Sequence, residues 1–265
     1  MGNLNHFSFG WLTPTLSYLM ACVGAALGLR CTLRALAATG TSRRNWLFTA
    51  AAAIGSGIWT MHFVAMFGFT VDGTELRYDV PLTILSLVVA VLVVGLGVFA
   101  VGYGRHRGRS LLLGGLTTGV GVAAMHYIGM AAVRIHGGID YDPGTVGLSV
   151  LIAVGAATAA LWAATTIRTM LAAGGAALVM GIAVSCMHYT GMAAVHVHMV
   201  PDRADLGGAT PMQFIFPLAV GLGSFLFLTS AFVALSPTAQ ERAAYREAGE
   251  IAVEDLTATS LDRAA

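Results

Sequence analysis

The 265-residue chain contains no lysine: all fourteen of its basic residues are arginine. Without a lysine amine a retinal-type Schiff base cannot form, so chemistry built on that adduct is excluded. Charge of either sign is scarce, with 10% of residues charged, against about 25% in soluble domains. Cysteine is limited to Cys22, Cys31 and Cys186, which stand at no zinc or disulfide spacing and read as small apolar fillers. A net charge of +1 supplies no basic footprint for a nucleic acid. The opening segment MGNLNHFSFG has no basic stretch, and the apolar run behind it is longer than a signal-peptide core. The first helix is therefore expected to be retained.

Apolar residues fill the space, at 57% of the chain. Runs long enough to cross a hydrocarbon core, about 20 residues each, occupy roughly 11–36, 46–70, 80–103, 110–134, 145–167, 171–196 and 212–235. The expected fold is an all-α integral membrane protein of seven transmembrane helices in the cell (plasma) membrane. Arg43, Arg44, Arg105, Arg107, Arg109, Arg168, Arg242 and Arg246 fall on one side of the bilayer. Asp72, Glu75, Asp79, Asp140, Asp142, Asp202 and Asp205 dominate the other. The positive-inside rule then puts the N-terminus out and the C-terminus in. His106, within RHRGR, belongs to this basic signal or to an anionic-lipid contact. Residues 1–10 form an outer segment, 11–235 the membrane domain, and 236–265 a polar cytoplasmic tail too short for a catalytic domain, so the chain is not expected to be an enzyme.

A repeat runs through the membrane domain. GSGIWTMHFVAMFGF, TGVGVAAMHYIGMAA and MGIAVSCMHYTGMAA align, as do YDVPLTILSLVVAV and YDPGTVGLSVLIAV, and more faintly WLTPTLSYLMAC. The unit is about 63 residues and two helices. Three such units with an even helix count are parallel, related by an axis along the membrane normal, and the Phe-rich seventh helix stands outside them. In each unit the histidine, His62, His126 or His188, lies about 16 residues after the cytoplasmic start of its helix. At 1.5 Å per residue that is roughly 24 Å into a core about 30 Å thick, in its outer third.

From composition alone Met-His-x-x-x-Met is expected roughly 0.02 times in a chain like this; it occurs three times. Duplication copies motifs, but it does not explain why the His and both Met persist while Trp59, Phe63 and Ala65 differ from their counterparts. Positions four apart lie about 40° apart on a helix, so His62 and Met66, His126 and Met130, and His188 and Met192 share faces. Met61, Met125 and Met187 lie about 100° off those faces, bordering the site or packing the next helix. Imidazole and thioether donors without a carboxylate suit copper, Cu(I) above all, whereas zinc would recruit Cys or carboxylate. A helix-packing patch explains one such motif well; haem held by two of the histidines is the other cofactor reading. Cys186 points away from His188. His6, His136, His196 and His198 are loop histidines that either gather metal at the outer face or serve no site. Asp79 and Asp142, each just before a helix that starts with proline, either cap that helix or orient a ligand histidine.

These stretches resemble the MHYT domain, a bacterial integral-membrane sensory module named for Met-His-Tyr-Thr. The tetrapeptide is complete at Met187 to Thr190, nearly so at Met125 to Ile128, and degenerate at Met61 to Val64. The resemblance extends from about Trp11 to Phe232. It implies a seven-helix sensor that coordinates copper near the outer face and senses oxygen, carbon monoxide or nitric oxide. It also implies output through a diguanylate cyclase, phosphodiesterase or DNA-binding domain. Here the expected output is a separate cytoplasmic partner, since TAQERAAYREAGEIAVEDL makes at most a short amphipathic helix. Phe63 replaces the first motif tyrosine, so Tyr127 and Tyr189 are assigned only a supporting role. The competing functions are a copper transporter or handling protein, which predicts donors continuing toward the cytoplasm, and a haem-binding redox protein.

Overall fold

The computed structural model describes residues 4–5, 8–104, 106–167, 169–200 and 206–236. Seven α-helices follow in order: α1 (Leu12–Ala37), α2 (Gly40–Met66), α3 (Val80–Tyr103), α4 (Arg107–Ala131), α5 (Pro143–Thr166), α6 (Met170–Ala193) and α7 (Phe216–Leu235). A π-helical turn, Pro211–Ile215, leads into α7. All seven are long and apolar enough to cross a membrane, and the chain is a multi-pass membrane protein.

Local chemistry sets the helix starts. Asp79 caps α3 by accepting from Leu82 N–H (3.1 Å), and Asp142 caps α5 by accepting from Thr145 N–H (2.7 Å). In both a proline then occupies the first turn, where its missing N–H costs nothing. Thr210 and Gln213 form a reciprocal capping box ahead of α7.

The second helix is longer than its apolar run. It begins at Gly40 instead of 46 and ends at Met66 instead of 70, so Arg43 and Arg44 lie within it and not in a loop. Arginine is a good helix former with an apolar stem, so a charge at the membrane edge extends a helix. Arg43 Nε–H donates to Ala38 O (2.9 Å) and its guanidinium stands 5.8 Å from the Tyr103 ring centre; Arg34 stands 5.0 Å from that of Trp46. Arg107 and Arg109 likewise belong to α4. Counted from the arginine end, the three motif histidines come 22, 19 and 18 residues in, further than the apolar runs implied. They sit about one turn from the opposite ends of their helices.

The helices α1 to α6 pack in a closed ring, each on the next and α6 back on α1. Three glycines at equivalent repeat positions make the close approaches. A Cβ on Gly55 would lie 2.7 Å from Val91 Cα, one on Gly119 would collide with the Val154 backbone, and one on Gly181 would lie 2.5 Å from Cys22 Sγ. α2 and α4 thus lie backbone-close against α3 and α5, while α6 meets α1 through the Cys22 and Tyr18 side chains. Cys22 occupies the position of Val91 and Val154 in its unit, the filler role expected of it. Outside the ring, Gly223 of α7 faces Met20 of α1.

Short strands, absent from the sequence expectation, close the end opposite the arginines. β1 (Leu4–Asn5) pairs with β2 (Thr70–Val71), β3 (Arg77–Tyr78) with β4 (Val133–Arg134), and β5 (Gly137–Tyr141) with β6 (Val195–Met199), all antiparallel. In β6 the valines are buried and the histidines exposed, the alternation of a half-buried strand. Residues from 237 onward, assigned to a tail, lie outside the described residues.

Substituting Gly119 tests the backbone packing. Gly119→Val should lower the melting temperature through an overpacking cost of about 1–3 kcal/mol. Gly155→Ala, whose added carbon meets nothing within 4 Å, should not. Circular dichroism melts in detergent check the pair, and equal behaviour of the two variants would rule out the contact.

Candidate metal centre

The repeat brings one imidazole from each motif helix to the same point. His62, His126 and His188 are at most 1% exposed. Their Nδ1 atoms form a triangle with sides of 3.0 Å (His62 to His188), 3.1 Å (His62 to His126) and 3.4 Å (His126 to His188). A neutral imidazole nitrogen is either a donor or an acceptor. Around a triangle those roles cannot alternate, so at least one pair must set two lone pairs or two hydrogens against each other. The arrangement that removes the conflict is three lone pairs turned inward around a cation. The point equidistant from the three nitrogens lies about 1.8 Å from each, close to the roughly 2.0–2.1 Å of a metal–imidazole bond. Among the described residues this is the one group of three or more His, Cys, Asp or Glu side chains able to share an ion.

The outer edges of the rings are also fixed. Nε2 of His62 and Nε2 of His126 are buried and without hydrogen-bond partners. Gly129 of α4 stands over the first and Gly191 of α6 over the second, where a Cβ would lie 2.6 Å and 2.5 Å from the nitrogen. The glycine of Met-His-Tyr-x-Gly-Met is therefore the space into which the neighbouring unit's histidine fits. Met61, Met66, Met125, Met130, Met187 and Met192 are all at most 2% exposed, and all but Met61 belong to one apolar cluster.

Next to each histidine stands an aromatic ring: Tyr127 with its centre 4.8 Å from that of His126, Tyr189 at 4.9 Å from His188, and Phe63 at 4.6 Å from His62. Tyr127 Oη shares a 2.7 Å hydrogen bond with Ser149 Oγ of α5, and Tyr189 faces Ser17 of α1. Phe63 has no hydroxyl to offer. Its place is taken one turn earlier by Trp59, whose Nε1–H donates to Ser86 Oγ of α3 (2.9 Å). The three serines, all fully buried, in turn donate to carbonyls of their own helices at Pro14, Thr83 and Val146. Sequence reasoning overlooked these serines and the part played by Trp59. The signal was available, because Leu16-Ser17, Leu85-Ser86 and Leu148-Ser149 recur at equivalent positions.

Comparison with known proteins agrees with this repeat. The MHYT family, described as a bacterial signalling protein N terminal repeat, matches residues 55–115 and 119–177. The chain is also 43% identical over 192 residues to the bifunctional diguanylate cyclase/cyclic di-GMP phosphodiesterase MucR of Pseudomonas aeruginosa, covering 71% of the chain and 28% of MucR. The chain belongs to the MHYT family. Other relatives are the cyclic di-GMP phosphodiesterase NbdA of Pseudomonas aeruginosa and the signaling protein YkoW of Bacillus subtilis. NbdA is 39% identical over 72% of the chain and 25% of NbdA; YkoW is 30% identical over 78% of the chain and 26% of YkoW. The chain spans about a quarter of the length of these curated relatives. No solved structure matches it. Both matched MHYT stretches open on a close-approach glycine, Gly55 or Gly119.

The remaining candidates of this MHYT chain lie at the strand-bearing end. The Asp79 carboxylate accepts from the Arg134 guanidinium as well as from Leu82, and Asp142 accepts from the hydroxyl and the N–H of Thr145. These are the bonds of the capping role. They hold both carboxyls below the usual carboxylate range, Asp79 chiefly through Arg134 and Asp142 chiefly through the Thr145 hydroxyl. The other histidines are spread among separate partners: His136 with Thr74 (3.1 Å), His198 with Asp140 (3.1 Å), and His196 beside Ala194 O. His6 lies outside the described residues.

A depressed folded pKa stabilises above the unfolded value, about 3.9 for Asp, and that stability disappears as pH falls through the folded value. An Asp79→Asn/Asp142→Asn double variant should therefore melt below wild type at pH 7, with the gap closing as pH falls below the unfolded value. Melting curves across that range check it; a gap that stays constant would show that the two carboxylates do not carry the effect.

Proposed function

We propose that this MHYT chain is a membrane sensory domain of a bacterial signalling system, with copper held by His62, His126 and His188 near the outer face of the plasma membrane. The observation that carries the reading is the convergence of three Nδ1 atoms within 3.4 Å, one from each motif helix. Copper follows from the donor set. Three imidazoles stand in a pocket whose nearby soft donors are thioethers, Met66, Met130 and Met192 one turn on and Met61, Met125 and Met187 just before, with no carboxylate or thiolate in the group. When bound, copper supplies a redox-active centre able to take a diatomic gas, oxygen, carbon monoxide or nitric oxide.

The chain's own residues do the rest. The imidazoles are neutral nitrogen donors, and the Tyr127, Tyr189 and Trp59 contacts to serine fix the height and rotation of the helices that carry them. Because each imidazole belongs to a different motif helix, any change in the spacing of the nitrogens is a change in the spacing of α2, α4 and α6. Those helices begin at the arginine end, which faces the cytoplasm by the positive-inside rule. The receiver there is a protein or domain of cyclic di-GMP turnover, the activity named for MucR and NbdA. The chain itself is read as non-catalytic.

The same residues do not fit haem. Two axial nitrogens must stand on opposite faces of a macrocycle, and nitrogens 3.0–3.4 Å apart leave no room for one. A copper transporter needs donors along the whole path, and toward the arginine end the described lining is Val, Ile, Leu and Ala with two threonines, Met180 and Met187 being its thioethers.

Purified protein should carry about one copper per chain, and the His62→Ala/His126→Ala/His188→Ala variant none. Gly129→Ala and Gly191→Ala, which crowd an imidazole without removing a donor, should weaken Cu(I) binding by about 10–100-fold, the range for disturbing a ligand's support. Metal analysis and Cu(I) competition titration read all three. Copper retained by the triple variant would overturn the site.

A further inference from the structure

On the arginine side of the triad the ring encloses a cavity of about 70 Å³. Its lining includes Ile58, Val122 and Val184, each one turn before a motif histidine, together with Met187, adjacent to His188. These four residues form the end of the cavity nearest the triad and separate it from the histidines by one layer of side chains. Two hydroxyl side chains reach the wall, and both are already committed: Thr32 donates to Gly28 O (2.8 Å) and Thr118 to Val93 O (3.2 Å). A buried water needs two to four polar partners, and apolar cavities stay dry. Among the described lining residues the polar capacity left over is the acceptor lone pairs of these two hydroxyls, with no free donor. By size it has room for a water-scale guest, which needs about 10–15 Å³, and is well short of the roughly 150 Å³ that admits benzene. One wall is small and incomplete: Ala156 and Ala160 of α5 and Met180 and Val184 of α6 are half-buried, on helices with broadly exposed apolar faces. In a membrane that surface meets lipid, where apolar gases dissolve better than in water.

We infer that this cavity is a binding site for a small apolar molecule, reached from the lipid between α5 and α6, and that it delivers the molecule to the arginine-facing side of the triad. The delivery step rests on the metal-centre reading; the cavity does not. A gas then approaches the three imidazoles from within the bilayer, on the side away from the strands.

Xenon is the probe, applied to metal-free full-length protein in lipid nanodiscs and followed by 129Xe NMR. Wild type should show saturable binding, and Ala157→Leu, which fills the cavity from a buried position, should weaken it at least tenfold. Ala160→Leu, at the half-buried rim, serves if Ala157→Leu does not fold. No saturable xenon signal in wild type, or the same affinity in a folded filled variant, would overturn the cavity. In Cu(I)-loaded protein the filled variant should keep its copper but take up carbon monoxide at least tenfold more slowly. Unchanged uptake would mean that gas arrives from the strand-bearing side, against the delivery step. Wild type that binds xenon but no copper would sink the metal reading and leave the cavity standing.

Discussion

Three neutral imidazoles that meet at one point inside a membrane cannot satisfy one another by hydrogen bonding. Two could, one as donor and one as acceptor; the third makes the ring odd. Nothing else nearby relieves the conflict at the buried Nε2 atoms of His62 and His126, which face glycine backbone and not an acceptor. Neutral imidazoles with lone pairs turned inward make a group that could hold a metal ion. The rest of the bundle can be understood as what is needed to hold three helices at the same height and rotation around that point.

The means are the same in each unit and are small. A glycine seven residues before the histidine lets the motif helix touch the next odd helix, and an aromatic N–H or O–H reaches a buried serine on that helix. A second glycine, three residues after the histidine in two of the units, makes room for a neighbouring imidazole. In the first unit Ala65 stands at that position and Trp59 replaces the tyrosine, so the threefold relation is approximate and the site is not forced to be symmetric. The tyrosines of the family name act as ties between helices, and where Phe63 has no phenol Trp59 makes the tie to Ser86.

Much of this was legible in the sequence. Hydropathy gave seven helices because lipid demands long apolar runs with internally satisfied backbones, and the repeat put the histidines at one depth by length alone. What hydropathy misjudged were places where a second force acts. Arg43 and Arg44 continue α2 because their stems lie on the helix while the heads find Ala38 O and the Tyr103 ring. The β5–β6 ribbon was missed because Val195 and His196 read as the end of the sixth apolar run and the loop histidines were weighed singly, not as an alternation with valine. Closure of α6 onto α1 was invisible for a different reason. The faint first copy, WLTPTLSYLMAC, looks like a decayed start of a repeat, whereas in space it completes the third one.

That closure bears on how the protein is made. Among the described helices α1 is made well before α6, so its contact with that motif helix waits until α6 is in the membrane. Until α6 arrives, His62 and His126 are a pair and can share a proton between them as donor and acceptor. His188 adds the third imidazole, which breaks that pairing, and it does so only when the ring shuts. The three-histidine group that could hold a metal ion is thus complete only once α6 has closed on α1.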